Sequence, residues 1–318
     1  MKRRLFTLLL LAASFGALAQ AYPSKPLRVI VPFPPGGPTD VLGRVLAQGL
    51  SDALGQSAVV DNKAGAAGNI GMEQAAKAPP DGYTLAIVPL GNIAVNPTLF
   101  PGLPYKASDL APVSMLATVE NVLVVNAAVP ARSVKELLAL AAQKPNALSF
   151  ASPGAGSQAH LAGELMALSS GVQLLHVPYK GISPALNDLL GGQVSMMFAQ
   201  MSSVLPHIKS GKLRALGVAS LKRSALLPEL PTLAEQDLPR FEAVSWYALM
   251  VPTGTPRAVI DRLNAETNRM LAKPELKDRL AALGMDASGS KPQELAASIQ
   301  AETVRWAEVI RQKNIKPE

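Results

Sequence analysis

The sequence predicts an α/β protein that is divided into two domains. Apolar, strand-like runs alternate with amphipathic helical patterns along the 318 residues, and this alternation is typical of parallel sheets that helices cover on both faces. The chain is longer than an ordinary single domain of about 50–200 residues, so two domains are expected. Glycine-rich segments follow two of the predicted strands, which is where α/β proteins place their ligand sites.

The N-terminus has the pattern of a secretory signal peptide. A basic segment, Lys2–Arg4, precedes the apolar run Leu5–Leu11, and Ala-x-Ala cleavage sites occur at Ala17–Ala19 and Ala19–Ala21. The apolar run is much shorter than the ~20 residues that span a bilayer, and the chain has no cysteine to carry a lipid. Residues 1–21 are therefore expected to be removed during export, leaving a soluble chain that does not insert into a membrane.

Composition excludes several classes of function. The absence of cysteine removes disulfides, thiol nucleophiles and thiolate metal sites. The formal net charge is +7, with basic residues scattered among acidic ones, and aromatic residues make up only 4%. A nucleic-acid surface, which needs a basic stripe or stacking platforms, is therefore not expected. The three histidines, His160, His176 and His207, lack metal-ligand spacing, so no metal site is expected.

The predicted elements place the two glycine-rich loops. Strands are predicted at residues 27–33, 83–88, 122–125, 148–151, 194–199 and 213–219. Helices are predicted to begin at Thr39, near Val134, at Ser183-Pro184 and at Thr255-Pro256, and two further helices end the chain. A proline-rich stretch, 226–239, is predicted to be a surface loop. The first glycine-rich loop therefore follows strand 27–33, and the second follows strand 148–151.

The first loop, Pro32–Asp40, has the features of an anion site. Gly36 and Gly37 let backbone N–H groups approach a ligand closely. The helix that follows offers unpaired N–H groups at the positive end of its dipole. Together these features indicate an anion site that uses no side-chain cation. The alternative is a tight turn between strand and helix in which Thr39 only caps the helix.

The second loop, Ser152–Ser157, repeats this arrangement. Ser157 is predicted to cap the next helix, which places His160 in the first helical turn. The imidazole is then able to face the same space as the loop N–H groups. The alternative is that His160 is a surface or capping histidine. Two such loops suit a ligand with a carboxylate at one or both ends.

The enzyme and cofactor alternatives lack required residues. Gly154-x-Gly156-x-x-Ala159 nearly matches a dinucleotide fingerprint, but the acidic residue expected about 20 positions later is missing, because that region reads Leu174–Tyr179. A serine hydrolase would use Ser157 and His160, yet the chain has no Gly-x-Ser-x-Gly elbow, and a separate buried acid would be needed. We therefore expect no cofactor and no enzymatic activity, with the exported serine hydrolase as the alternative.

A series of ordered motifs covers essentially the whole chain after residue 21. The motifs are Val31–Asp40, Asn62–Gly71, Pro80–Leu85, Ser152–Ser157, His160–Glu164, Val177–Gly181, Gly191–Val194 and Arg214–Val218. Together they resemble the substrate receptors of the tripartite tricarboxylate transporter family, the Bug or TctC-like periplasmic solute-binding proteins. One departure is Pro38, which removes one N–H donor from the first loop.

This resemblance implies a fold and a role. The fold would be a periplasmic binding protein type II-like Venus flytrap, in which two doubly wound α/β domains are joined by two crossover segments. Domain 1 would combine residues 22–124 with 246–318, and domain 2 would span 125–245. The protein would be a periplasmic receptor, a monomer by default, that closes around a small carboxylate and delivers it to a membrane permease. A ligand-sensing subunit of a signalling system is the remaining alternative.

The resemblance also implies a set of ligand-binding residues. They are Phe33, Gly36, Gly37, Thr39 and Asp40 on one side, Gly154, Gly156, Ser157 and His160 on the other, and additionally Asn69 and Ala199. Asp40 would hold a water, a hydroxyl or the helix terminus, because its charge repels a ligand carboxylate. The candidate ligands are dicarboxylates and tricarboxylates, acidic amino acids and aromatic carboxylates.

Overall fold

The chain folds into two α/β lobes, each built on one mixed sheet. The computed structural model describes residues 22–317, so the predicted signal peptide lies outside the described residues. The strands are β1 (Leu27–Val31), β2 (Ala58–Asn62), β3 (Thr84–Pro89), β4 (Leu110–Val119), β5 (Asn121–Asn126), β6 (Ser149–Ser152), β7 (Leu175–Pro178), β8 (Met196–Gln200), β9 (Leu213–Val218), β10 (Ser245–Pro252) and β11 (Asp286–Ala287). The α-helices are α1 (Pro38–Leu54), α2 (Asn69–Ala76), α3 (Asn96–Leu99), α4 (Val134–Gln143), α5 (Gln158–Ser170), α6 (Ile182–Leu190), α7 (Met201–Lys209), α8 (Arg257–Leu271), α9 (Pro274–Ala281) and α10 (Pro292–Gln312).

Lobe 1 is the part built on a six-stranded sheet with the order β11-β4-β10-β3-β1-β2. Strand β1 pairs in parallel with β2 and β3, whereas β10 is antiparallel to both β3 and β4. Side chains alternate along β1, so that Val29 and Val31 pack into one layer and Ile30 packs into the other. Helices therefore cover both faces of this sheet, as the apolar sequence of β1 requires.

Lobe 2 is built on a five-stranded sheet with the order β7-β6-β8-β5-β9. Strand β6 is parallel to β7 and β8, and β5 is antiparallel to β8 and β9. The prediction of parallel sheets is thus wrong for β5 in lobe 2 and for β10 and the two-residue β11 in lobe 1. The reason is the path of the chain, since β5 enters from lobe 1 through Glu120 and β10 returns from lobe 2 after the segment 219–244.

The ends of several elements differ from the predicted ones. Helix α1 begins at Pro38 with Gly37 at the N-cap position, so Thr39 is its second residue and not its cap. Likewise Gly181 occupies the N-cap position of α6, and Ser183 lies inside that helix. Proline at the first helical turn fixes the start of α1, because its missing N–H needs no partner there.

The last helix, α10, packs on both lobes. Leu295 belongs to a core layer of lobe 1, while Trp306, Val309 and Ile310 pack in the core of lobe 2 with Phe150. The predicted domain bounds placed all of α10 and residues 121–124 in domain 1. Packing and strand pairing instead place the end of α10 and the whole of β5 with lobe 2. Within residues 22–317, no helix combines the length and apolar character that crossing a membrane requires.

Candidate functional site

A cleft lies between the two lobes and is lined by both of them. The cavity with more lining residues, which we call the main cavity, has a volume of about 400 Å³. A second cavity of about 560 Å³ adjoins it and shares Phe33, Pro89 and Tyr247 with it. Lobe 1 contributes the loops after β1 and β3 to the lining, and lobe 2 contributes Pro153–Gln158. The start of β10 also lines the main cavity. We call the two cavities together the interlobe cleft.

The first cleft loop, residues 32–37, is held by a buried carboxylate. Gly36 has a φ of +87°, and its backbone N–H donates to Asp40 Oδ2 at 2.9 Å. The same carboxylate accepts hydrogen bonds from Asn62 Nδ2 and Arg44 Nε, each at 2.9 Å. Burial by itself would raise the pKa of Asp40, but the hydrogen bonds from Arg44, Gly36 and Asn62 outweigh burial and lower it. Asp40 is therefore an ionised internal anchor of the loop.

The N-terminus of α1 opens into the cleft. Gly37, Pro38 and Thr39 line the adjoining cavity, and no side chain caps the helix. The first backbone N–H groups of an α-helix have no intrahelical partner, and the helix dipole makes this end positive. This end of α1 therefore suits an anion, with one donor fewer because of Pro38.

The second cleft loop, residues 152–157, is held by a histidine. Gly156 has a φ of +73°, and its backbone N–H donates to His160 Nδ1 at 3.0 Å. The predicted N-cap is confirmed, because Ser157 Oγ accepts from the backbone N–H of His160 at 3.3 Å. The imidazole of His160 is 6% exposed and stacks on His176, with ring centroids 3.7 Å apart.

The structure brings six of the eleven predicted site residues to the cleft. These are Phe33, Gly37, Thr39, Gly154, Gly156 and Ser157. The other five do not line either cavity, namely Gly36, Asp40, Asn69, His160 and Ala199. Gly36, Asp40 and His160 take part in the hydrogen bonds that anchor the two loops, and these bonds lie inside the protein. The ligand contacts of all eleven residues stay a prediction.

Asn69 lies in a buried polar cluster next to the cleft. Its Oδ1 accepts from Asn96 Nδ2 at 2.7 Å and lies 3.1 Å from the Tyr105 hydroxyl. Burial raises the pKa of Tyr105 to about 12, so its hydroxyl stays protonated and also reaches the Asn92 carbonyl at 2.6 Å. Asn92 and Asn96 themselves line the main cavity. Asn69 therefore holds cleft residues in place.

Sequence reasoning missed the part of the cleft that β10 provides. Ser245, Trp246 and Tyr247 line the main cavity, and their signal is an aromatic run that is typical of a strand. Tyr247 is 9% exposed. Burial raises the pKa of its hydroxyl, and the nearby side chains of Thr39 and Gln200 partly oppose this effect. Thr39 of lobe 1 and Gln200 of lobe 2, which follows Ala199, line the adjoining cavity together with Tyr247.

Gln158 is a second residue that was missed. It is the first residue of α5 and lines the main cavity. Its Nε2 atom is buried and has no hydrogen-bond partner. A buried amide that lacks an acceptor is costly, so this atom is suited to donate to a ligand oxygen.

The side chains that line the cleft carry no charge. In the part of the chain that the structure describes, neither cavity is lined by Asp, Glu, Lys, Arg or His. An anion in the cleft must therefore be balanced by backbone N–H groups, helix N-termini, hydroxyls and side-chain amides. Among residues 22–317, no cluster of three or more His, Asp or Glu side chains could hold a metal ion.

The contacts of His160 do not favour the serine hydrolase. A backbone N–H only donates, so His160 Nδ1 must be an acceptor and the ring proton lies on Nε2 in the neutral form. That Nε2 atom lies 3.7 Å from Glu164 Oε1. A general base needs a free acceptor nitrogen within hydrogen-bond reach of the nucleophile. The acceptor nitrogen of His160 is occupied by Gly156, so Ser157 has no base in this arrangement.

Two α/β lobes that face each other across a cleft define a solute-binding protein of the Venus-flytrap class. The sequence profile described as "Tripartite tricarboxylate transporter family receptor" matches residues 42–315. The chain belongs to this receptor family. The family and fold class predicted from the sequence motifs are thereby confirmed.

Curated relatives match over nearly the full chain. Protein BugT of Bordetella pertussis is 44% identical over 300 residues, which cover 94% of this chain and 92% of that protein. The UPF0065 protein in the tcbD-tcbE intergenic region of Pseudomonas sp. (strain P51) is 44% identical over 292 residues, covering 91% and 87% respectively.

Solved structures match over a similar share of the chain. A protein of R. palustris determined with adipate is 36% identical, with a TM-score of 0.79, and the match covers 93% of this chain and 100% of that one. MatC of Rhodopseudomonas palustris, with bound malate, is 31% identical, with a TM-score of 0.73 and coverage of 91% and 100%. The periplasmic binding protein BugD is 35% identical, with a TM-score of 0.75 and coverage of 93% and 100%.

Proposed function

We propose that this chain is exported to the periplasm, acts there as a single chain, and captures a small carboxylate for delivery to a permease of the tripartite tricarboxylate transporter type. One observation carries the proposal. Two glycine-rich loops, each joining a parallel strand to a helix N-terminus, face one cleft that has no charged lining. Such N-termini bind anions through backbone N–H groups and the helix dipole.

The polar groups of the cleft provide donors for a carboxylate. Ser157 supplies a hydroxyl, and Gln158 supplies a buried amide that has no partner within the protein. On the opposite side, α1 supplies the N–H groups that follow Gly37. A carboxylate that accepts several N–H and O–H hydrogen bonds stays ionised without a side-chain cation. The relatives solved with adipate and with malate support this class of ligand.

The apolar lining indicates what the rest of the ligand is like. Phe33, Phe100, Trp246 and Leu99 all line the main cavity. No acidic side chain lines it within the described residues, so a ligand ammonium group would be buried without an opposite charge, which is costly. We therefore favour a carboxylate with an aliphatic or aromatic body over an acidic amino acid.

Binding is proposed to stabilise a closed arrangement of the lobes. Gly156 of lobe 2 already lies against Leu99 of lobe 1, because a Cβ atom on Gly156 would overlap the Leu99 side chain. A ligand that bridges the two loops interacts with both lobes only when they are close together. It therefore shifts the population towards the closed form.

Thermal unfolding with a panel of carboxylates tests the proposal. The mature chain is heated with adipate, malate, benzoate and glutamate, and with adipamide as an uncharged control for adipate. A ligand at a hundredfold excess over its dissociation constant stabilises the folded state by about 2.7 kcal/mol, which raises Tm by about 5 °C. We expect adipate or benzoate to raise Tm and adipamide to leave it unchanged.

Two results would contradict the proposal. One is an equal shift with adipamide and adipate, which would show that the negative charge is not recognised. The other is silence across the panel in protein whose denatured sample, by mass spectrometry, releases no carboxylate. A separate assay follows ester and amide hydrolysis in the wild type and in Ser157→Ala. Turnover that disappears in the variant would establish the hydrolase instead.

A further inference from the structure

His160, which is buried, and His176, which is partly exposed, contact the second cleft loop without lining the cleft. The rings of His160 and His176 are stacked, with centroids 3.7 Å apart and planes within 5° of each other. Phe150 stacks on His176 at a centroid distance of 4.9 Å. Burying an imidazole nitrogen is costly unless it is hydrogen-bonded. The hydrogen-bond partners of the ring nitrogens therefore indicate the role of the two histidines.

His160 holds one end of the loop. Its Nδ1 accepts the backbone N–H of Gly156 at 3.0 Å, and its own backbone N–H donates to Ser157 Oγ. The contact with Gly156 requires an unprotonated Nδ1. A second proton on the ring would make both nitrogens donors and remove the acceptor that Gly156 needs.

His176 holds the other end of the loop. Its Nε2 lies 2.6 Å from Ser152 Oγ, and that hydroxyl contacts both the carbonyl of Gly154, at 3.1 Å, and its N–H, at 3.3 Å. Burial and the neighbouring His160 lower the pKa of His176 to about 4. The ring is therefore neutral at neutral pH, and the Ser152 hydroxyl links it to Gly154.

Two charged groups face the histidine pair. Glu164 Oε1 on α5 lies 3.7 Å from His160 Nε2, and Lys313, which follows α10, pairs with Glu164 Oε2 at 3.4 Å. Burial alone would raise the pKa of Glu164, but its contacts with His160 and Lys313 lower it overall. Glu164 is thus ionised and faces the Nε2 side of His160, opposite the Nδ1 atom that accepts from Gly156.

We propose that His160 and His176 are positioning residues of the ligand site. They fix the second cleft loop through the N–H of Gly156 and the hydroxyl of Ser152, so that Ser157 and Gln158 keep the positions from which they line the cleft. This inference rests on the proposed function only in treating the loop as part of a ligand site.

Hydrogen exchange of the ligand-free protein tests the positioning directly. The exchange of backbone N–H groups in a peptide that covers residues 150–160 is followed by mass spectrometry at pH 7. His160→Phe keeps an aromatic ring but removes the acceptor, whereas His160→Asn restores an acceptor oxygen near the Nδ1 position. His207→Asn is the control, because His207 lies on α7 outside this cluster.

We expect exchange in this peptide to be about fivefold faster in His160→Phe than in the wild type at pH 7, as the loss of one net hydrogen bond predicts. His160→Asn should stay within about twofold of the wild type. His207→Asn should exchange like the wild type, because His207 lies on α7. His176→Phe should also loosen the loop, and His176→Gln should restore it, because its amide reaches the Nε2 position.

Two results would overturn the inference. They are exchange in His160→Phe equal to that of the wild type, and exchange in His160→Asn as fast as in His160→Phe. Circular dichroism shows whether His160→Phe folds, and if it does not, exchange in His176→Phe that is no faster than in His176→Gln would overturn the inference. Because no ligand is present, the result is independent of the carboxylate panel. A failure of the proposed function therefore shows separately, as silence across that panel.

Discussion

The two cleft loops share one plan but differ in what anchors them. Each follows a parallel strand and contains a glycine with positive φ, +87° at Gly36 and +73° at Gly156. In each, the glycine N–H donates to a side chain four residues later, in the first turn of the next helix. The acceptor is Asp40 Oδ2 at 2.9 Å in lobe 1 and His160 Nδ1 at 3.0 Å in lobe 2.

The same loop geometry is held by two acceptors of different chemistry, a carboxylate in lobe 1 and an imidazole in lobe 2. The Asp40 carboxylate has three donors, and its pKa is lowered, so it remains an acceptor throughout the neutral range. An imidazole accepts only while one nitrogen is unprotonated. The first loop is therefore held by a charged acceptor, whereas the second is held by an imidazole whose Nδ1 atom must be unprotonated.

The largest expected effect is the loss of the first anchor. In Asp40→Ala, the N–H of Gly36, the amide of Asn62 and the guanidinium of Arg44 lose a common acceptor in a buried place. We expect the free energy of unfolding to fall by about 2–3 kcal/mol. Urea denaturation measures it, with Asp52→Ala on the exposed side of α1 as the control. Equal losses in the two variants would show that Asp40 is not an anchor.

The second-largest effect distinguishes the two loop glycines, Gly36 and Gly156. Alanine at either position adopts an unfavourable positive φ, which costs about 1 kcal/mol. At Gly36 the new methyl group meets no atom, whereas at Gly156 it overlaps Leu99 of the opposite lobe. We expect Gly156→Ala to weaken binding of the carboxylate with the largest thermal shift by at least about tenfold more than Gly36→Ala does. Isothermal titration compares them. Recovery in Gly156→Ala/Leu99→Ala would identify the overlap as the cause, and no recovery would argue against it.

The pH dependence of stability provides a third comparison. The pKa of His176 falls from its usual 6.5 to about 4 on folding, so the unfolded chain binds more protons between these values. Its contribution is complete above pH 6.5 and is lost as pH falls to 4. Partial exposure of the ring reduces the effect, and we expect a loss of about 1–2 kcal/mol. His176→Phe should lack this part of the loss. Asp40, with a lowered pKa, loses its contribution only at more acidic pH.

The smallest effect is expected for the exposed partner of the first anchor. The side chain of Arg44 is 57% exposed, although it pairs with the buried Asp40. Solvent screens such a pair, so Arg44→Ala should lower the free energy of unfolding by only about 0.5 kcal/mol. A loss as large as that of Asp40→Ala, measured by urea denaturation, would mean that Arg44 and not Gly36 is the main partner of the carboxylate.

Sequence patterns predicted the fold class but not every strand direction. The alternation of apolar runs indicated the α/β class, because side-chain periodicity reports burial, and the length of the chain indicated two domains. Periodicity does not report whether neighbouring strands run in parallel, so β5 was predicted as a strand but its antiparallel direction was not, and β10 was not predicted as a strand. Strand β2 was missed because all five of its residues are at least partly exposed, and Pro112 inside β4 weakened the pattern of that strand.

The candidate site was predicted where local sequence decides the geometry. Glycines next to a helix N-terminus indicated both loops, and Ser157 indicated the cap of α5. The role of His160 was not readable, because the partner of its Nδ1 depends on the path of the folded loop. The contributions of Tyr247 and Gln200 depend on contacts between distant parts of the chain. Those contacts exist only after the two lobes have packed.

Backbone amide NMR shifts show whether a carboxylate contacts both cleft loops at once. Residues 22–318, labelled with ¹⁵N, are titrated with the carboxylate that gives the largest thermal shift. We expect the largest changes to occur together in both cleft loops, at Gly37 and Thr39 of lobe 1 and at residues 154–158 of lobe 2. Changes confined to one lobe, or centred on the surface cavity beside Arg214 and Leu227 of lobe 2, would contradict this expectation.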